Sequence, residues 1–160
     1  MTSFTLTTRH EDQTVALGHQ LGQLSSAGDI FLFHGELGTG KTCLIRGIAA
    51  GLGAPGHASS PSFVIVRHYQ GRLTLHHMDL YRLERLEEIE DLGLDEYLYG
   101  DGVCAIEWAE RASHLLPHNH LDISLYYVPS EEQARTIELS ALGERHTSLL
   151  QELSSIAALQ

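Results

Sequence analysis

Phe4, Leu6 and Thr8 alternate with polar neighbours, the period of a half-buried strand. Over residues 12–24 the period lengthens. Val15, Leu17, Leu21 and Leu24 recur at near-helical spacing, with Asp12 placed to cap the start. A small polar turn at 25–29 leads into Ile30, Phe31, Leu32 and Phe33, an unbroken apolar run of the kind found in strands buried on both faces. A glycine-rich turn follows, then a helical stretch over 42–52. Leu44, Ile45, Ile48, Ala49 and Leu52 share one side of it, and Gly53 is a natural stop.

Pro55, Gly56, Ser59, Ser60 and Pro61 make residues 54–62 an irregular loop. Residues 63–69 are rich in strand formers. Gly71-Arg72 reads as the turn of a hairpin into a strand over 73–79. Residues 86–99 read as mostly helical and strongly acidic, and 103–106 as another buried strand. Two late strands at 121–127 and 136–140 flank Pro129 and an acidic turn, and 144–159 forms a terminal helix. The mixture is α/β, organised around the strand, glycine turn and helix near the N-terminus.

The length of 160 residues suggests one domain, 1–160, against about 150 residues per domain. No apolar run approaches the about 20 residues of a membrane span, and residues 1–10 lack the basic start and apolar stretch of a secretory signal. Two cysteines, Cys43 and Cys104, do not make a disulfide framework and read as small core residues, so a cytoplasmic protein is expected. Charge narrows the choice of partners. Against 21 acidic residues there are 10 basic ones, a net −11 with neutral histidines. Without clustered Lys and Arg, unaided binding to nucleic-acid phosphates or an anionic membrane is not expected.

The segment Gly35-Glu36-Leu37-Gly38-Thr39-Gly40-Lys41-Thr42 fits G-x-x-x-x-G-K-[ST] at every fixed position, between an apolar strand and an amphipathic helix. Such glycines let successive amides converge on phosphate oxygens at a helix N-terminus. Lys41, the one lysine of the chain, brings an ammonium to the β- and γ-phosphates of ATP, and the Thr42 hydroxyl can complete the shell of Mg²⁺. Asp79 and Glu107 each end a strand. Either can hold Mg²⁺ while the other orients water, and spacing does not separate the roles.

Other features are weaker. Spacing alone makes Ser59, Ser60 and Ser62 an ordinary turn, the alternative being a hydroxyl that meets the γ-phosphate or its metal. His76-His77 and His118-Asn119-His120 read as surface histidines rather than metal ligands. The eight carboxylates between Glu84 and Asp101 read as a solvated helix face, or else as a docking surface for a basic partner. A small-molecule kinase and a non-catalytic nucleotide-sensing subunit use the same loop and remain as alternatives.

The phosphate loop together with Ser60-Pro61-Ser62-Phe63, His77-Met78-Asp79-Leu80-Tyr81-Arg82-Leu83 and Ile106-Glu107-Trp108 resembles the TsaE (YjeE) family of small bacterial ATPases. Thr14-Val15-Ala16-Leu17-Gly18 is similar to that family's N-terminal pattern, and the likeness covers about residues 10–127. The resemblance implies a P-loop NTPase-like three-layer sandwich, its central sheet mostly parallel with antiparallel additions. It implies an ATPase that joins a TsaB–TsaD complex in forming threonylcarbamoyl-adenosine on tRNA, and that meets the tRNA only through that complex. By position, Gly38, Gly40, Lys41 and Thr42 would hold the nucleotide and Thr42 and Glu107 the Mg²⁺. Asp79 would lie at the γ-phosphate, and Trp108 and the 60–63 loop at the active site. Thr14 would lie near the adenine. Ser62, His34 and Cys43 depart from the usual threonine, aromatic residue and threonine without removing a required group. Weak turnover alone and faster turnover in the complex are expected.

Overall fold

A computed structural model describes residues 2–54 and 66–158. The element order is β1 (Thr2–Thr8), α1 (Glu11–Leu24), β2 (Ile30–His34), α2 (Lys41–Gly51), β3 (Val66–Gln70), β4 (Thr74–Asp79), α3 (Leu86–Glu90), α4 (Leu94–Leu98), β5 (Val103–Glu107), a 3-10 helix (Ala109–Leu115), β6 (His120–Val128), β7 (Glu131–Leu142) and α5 (Glu144–Ala158). One seven-stranded sheet runs β1-β7-β6-β2-β5-β4-β3. The inner strands β6, β2, β5 and β4 are parallel, while β7 and β1 on one flank and β3 on the other add antiparallel ladders.

The apolar runs of β2 and β5 explain the parallel centre. Phe31, Phe33, Val103 and Ala105 face a cluster with Leu21, Ile45 and Leu149 of α1, α2 and α5. Ile30, Leu32, Cys104 and Ile106 face a second cluster with Ile89, Leu94 and Ala109 of α3, α4 and the 3-10 helix. Helices therefore cover both sheet faces, giving three layers. Fully buried side chains such as Phe31, Leu44 and Ile106 each contribute about 1.5–3 kcal/mol through removal from water. Among the described residues no helix is long and apolar enough to cross a membrane.

Helices α1 and α2 meet backbone to backbone through Gly18 and Gly22 on one and Gly47 and Gly51 on the other. A Cβ at Gly47 would stand 2.2 Å from the Val15 carbonyl oxygen, and one at Gly18 would stand 2.2 Å from that of Leu44. This contact fixes α1 against the helix that begins at Lys41.

Several expectations are corrected. Asp12 does not cap α1. The helix begins at Glu11, and the His10 Nδ1 accepts the Asp12 amide at 3.2 Å. The 86–99 stretch is two short helices, because Gly93 takes a left-handed conformation with φ 65°. Strand β7 is longer than 136–140, since it pairs with β1 on one side and β6 on the other. The 71–72 hairpin forms as read, with Gln70 opposite Thr74. The 55–62 loop and the start of the strand read over 63–69 lie outside the described residues.

Candidate phosphate-binding site

Strand β2 runs into the loop, and α2 leaves it at Lys41 with Gly40 as its left-handed N-cap, φ 103°. Gly38 is left-handed too, φ 84°, and a Cβ there would stand 2.8 Å from the Tyr127 hydroxyl. Every carbonyl of the loop is occupied. Lys41 Nζ donates to Gly35 at 2.8 Å, the Thr39 amide and hydroxyl to Glu36 at 3.2 and 2.7 Å, and the Tyr127 hydroxyl to Leu37 at 2.7 Å. Arg135 donates to Gly38 at 3.4 Å and Thr39 at 3.0 Å, and the Leu44 amide donates to Gly40 at 3.0 Å. With its carbonyls held, the loop leaves amide hydrogens for an anion. The first turn of α2 adds amides that have no carbonyl one turn back.

Lys41 is buried, 6% exposed, with its ammonium 5.2 Å from the centre of the Trp108 ring. Facing the loop, Asp79 and Glu107 sit side by side in the β4–β5 ladder. Glu107 is buried, and its Oε2 lies 2.7 Å from Nε2 of His77. Asp79 is half-buried. Burial pushes its carboxyl above the usual range, partly opposed by the Tyr81 amide that donates to Oδ1 at 3.0 Å, while the negative charge of Glu107 raises it further. Trp108 takes a left-handed backbone, φ 60° and ψ 40°, a conformation costing of the order of 1 kcal/mol that surrounding contacts must hold. Its ring packs 4.8 Å from that of Tyr81, and the Arg111 guanidinium stands 6.0 Å from it.

Between loop and strand ends lies a cleft of about 640 Å³. Glu36, Leu37, Gly38, Gly40, Lys41, Thr42 and Cys43 line one side, and Asp79, Tyr81, Glu107 and Trp108 the other. The sequence-read carboxylates and Trp108 thus meet the loop. A second cavity of about 290 Å³ opens across the loop from the first, past Gly38, Thr39, Gly40 and Cys43, and reaches Thr14 of α1 and Arg135 of β7. Thr14 is buried there, its hydroxyl 2.8 Å from that of Thr8. Ser62 and the 60–63 loop lie outside the described residues.

Two readings change. His77 is no surface residue but wholly buried beside Glu107. Cys43 is no core residue. It is half-buried and borders both cavities, with its thiol pushed up by burial and by its hydrogen bond with Glu11. Cys104 is a core thiol, and burial raises it to about 12. His120 bonds Asp122 at 3.1 Å and Pro117 at 2.9 Å, and no group of three metal-binding side chains occurs among the described residues. The carboxylates of α3 and α4 are largely exposed, as both the solvated-face and the docking-surface readings require. Sequence reasoning missed His77, Tyr127 and Arg135. His77 had a signal, since it precedes Asp79 by two along a strand and so shares its face. The other two carried none.

The comparisons agree with one another. The family model described as "Threonylcarbamoyl adenosine biosynthesis protein TsaE" matches residues 8–137. The chain is 40% identical to the "tRNA threonylcarbamoyladenosine biosynthesis protein TsaE" of Bacillus subtilis, covering 92% of this chain and 91% of that one. It is 44% identical to the protein of the same name from Treponema pallidum, covering 73% and 87%. The crystal structure of YdiB from Bacillus subtilis superposes with a TM-score of 0.85 at 32% identity, covering 98% of this chain and 97% of that one.

Proposed function

The chain belongs to the TsaE family of threonylcarbamoyl adenosine biosynthesis proteins, and from that premise we propose that it is a magnesium-dependent ATPase. Its hydrolysis would serve threonylcarbamoyl-adenosine formation on tRNA through a TsaB–TsaD complex. One observation carries the ATPase reading. A glycine loop whose carbonyls are all occupied, with Lys41 folded over it, faces two carboxylates across one cleft.

The donor set suits Mg²⁺, because Thr42 and Glu107 offer hard oxygens beside a phosphate cradle. When bound there, the ion neutralises charge that develops on the phosphates. Loop amides and Lys41 orient the polyphosphate, and Tyr127 and Arg135 keep the loop curled. Glu107, buried and hydrogen-bonded by His77, is the metal-side carboxylate. Asp79, less buried and with a raised carboxyl, orients the attacking water and takes up its proton. The second cavity, with Thr14, receives the base. Replacing Arg135 with Ala frees the Gly38 and Thr39 carbonyls. It is expected to weaken Mg-ATP binding about 5- to 30-fold, the worth of one or two hydrogen bonds, as read by calorimetry.

A chain of charge −11 is repelled by tRNA phosphates, so a protein partner must bridge the two. The same reading makes the protein cytoplasmic. The test is ATP turnover with and without TsaB–TsaD, following released phosphate and modified tRNA together. Slow turnover alone, rising about tenfold or more when docking completes the site, is expected. Full-speed turnover indifferent to the partners contradicts the partner reading. Phosphate passed to a metabolite rather than to water indicates a kinase.

A further inference from the structure

We propose that His77 is a positioning residue that fixes the Glu107 carboxylate for metal binding, an inference that rests on the reading of Glu107 as the metal-side carboxylate. In β4, Leu75, His77 and Asp79 alternate with Met78, and in β5, Val103, Ala105 and Glu107 alternate with Ile106. Leu75, Val103 and Ala105 belong to the cluster under α1 and α2, whereas Met78 and Ile106 belong to the cluster on the opposite face. His77 pairs with Ala105 and Asp79 with Glu107, so His77 stands one alternation back from the two carboxylates on that same face.

The contact is short and buried. His77 is 0% exposed and Glu107 4%, and Nε2 lies 2.7 Å from Oε2. A proton must lie between them. The Nδ1 of His77 has no partner among the described residues. A buried N–H without an acceptor costs about 1–3 kcal/mol, more than a bare ring lone pair, which assigns the hydrogen to Nε2. His77 Nε2–H therefore donates to Glu107 Oε2. Among the described residues His77 is the one hydrogen-bond partner of that side chain. The bond engages Oε2 and restrains rotation of the carboxylate, so that Oε1 keeps a fixed place at the cleft. Partners of this kind orient metal-binding groups and set their affinity.

The test reads metal binding apart from turnover. Electron paramagnetic resonance follows Mn²⁺ binding to the protein saturated with β,γ-imido ATP. Calorimetry follows the same nucleotide without metal. His77→Phe keeps the ring volume and removes the donor. It is expected to weaken Mn²⁺ binding about 10- to 100-fold while metal-free nucleotide affinity stays within about threefold. His77→Gln, whose amide nitrogen reaches the place of Nε2, is expected to restore most of the affinity. Glu107→Gln serves as reference. If Glu107→Gln weakens Mn²⁺ binding and His77→Phe does not, the His77 inference fails and the reading of Glu107 stands. If Glu107→Gln leaves Mn²⁺ binding unchanged, the reading of Glu107 fails first. Should His77→Phe not fold, His77→Gln and His77→Asn decide, since the Asn amide falls at Nδ1 and cannot reach Glu107. Tighter Mn²⁺ binding by the Gln variant supports the inference, and equal binding overturns it.

Discussion

Lys41→Ala protein is expected to fold normally and to bind Mg-ATP about 10- to 150-fold more weakly, with hydrolysis lost. A hydrogen bond to a charged group contributes about 1.5–3 kcal/mol, and one donor lost from the developing charge of a transition state costs about 10²- to 10³-fold in rate. On the proposed reading Lys41 supplies both, since its ammonium already lies over the loop at the Gly35 carbonyl and lines the cleft. Removal leaves no charge stranded, because that partner is a neutral carbonyl which water entering the cleft can satisfy. Unchanged circular dichroism and melting, beside lost phosphate release, check the expectation.

Gly47→Ala is expected to damage the fold itself. The new Cβ would meet the Val15 carbonyl oxygen at 2.2 Å and the Gly18 Cα at 2.9 Å, both backbone atoms that no rotamer change can clear. Helices α1 and α2 must part, at a cost of about 3 kcal/mol or more, a large share of the 5–15 kcal/mol that holds a domain together. Since α1 carries Thr14 and α2 begins at Lys41, nucleotide affinity is expected to fall as well. Urea denaturation checks the loss. Gly53→Ala is the control: it is left-handed with φ 79° but has nothing within 4 Å of a Cβ, so only backbone strain of about 1 kcal/mol is expected.

What the chain discloses by itself follows the range of the interactions involved. The glycine loop was legible because its motif is local: glycines, lysine and threonine fall within eight consecutive residues between a strand and a helix. Asp79 and Glu107 were legible because each ends an apolar run. The separate roles proposed for them were not, since these rest on neighbours. Glu107 is buried against His77, 30 residues away in sequence, whereas Asp79 stays half-buried beside the Tyr81 amide. The Leu37 and Thr39 carbonyls are held by Tyr127 and Arg135, 90 and 96 residues distant, from strands whose pattern spoke only of pairing. Gly18, Gly22, Gly47 and Gly51 were visible at helical spacing. Attention to the apolar positions passed over them, because close backbone contact carries no hydrophobic signature. Gly93 divided a helix that its acidic and leucine pattern made continuous.

The proposed activity rests on binding of ATP by the loop, and the heat released on titrating Mg-ATP into the wild-type chain, beside Lys41→Ala protein, measures it most directly. Saturable heat at one nucleotide per chain, lost in the variant, is the expected result. No saturable heat from the wild-type chain, with TsaB and TsaD absent or present, would contradict nucleotide binding and the ATPase reading with it.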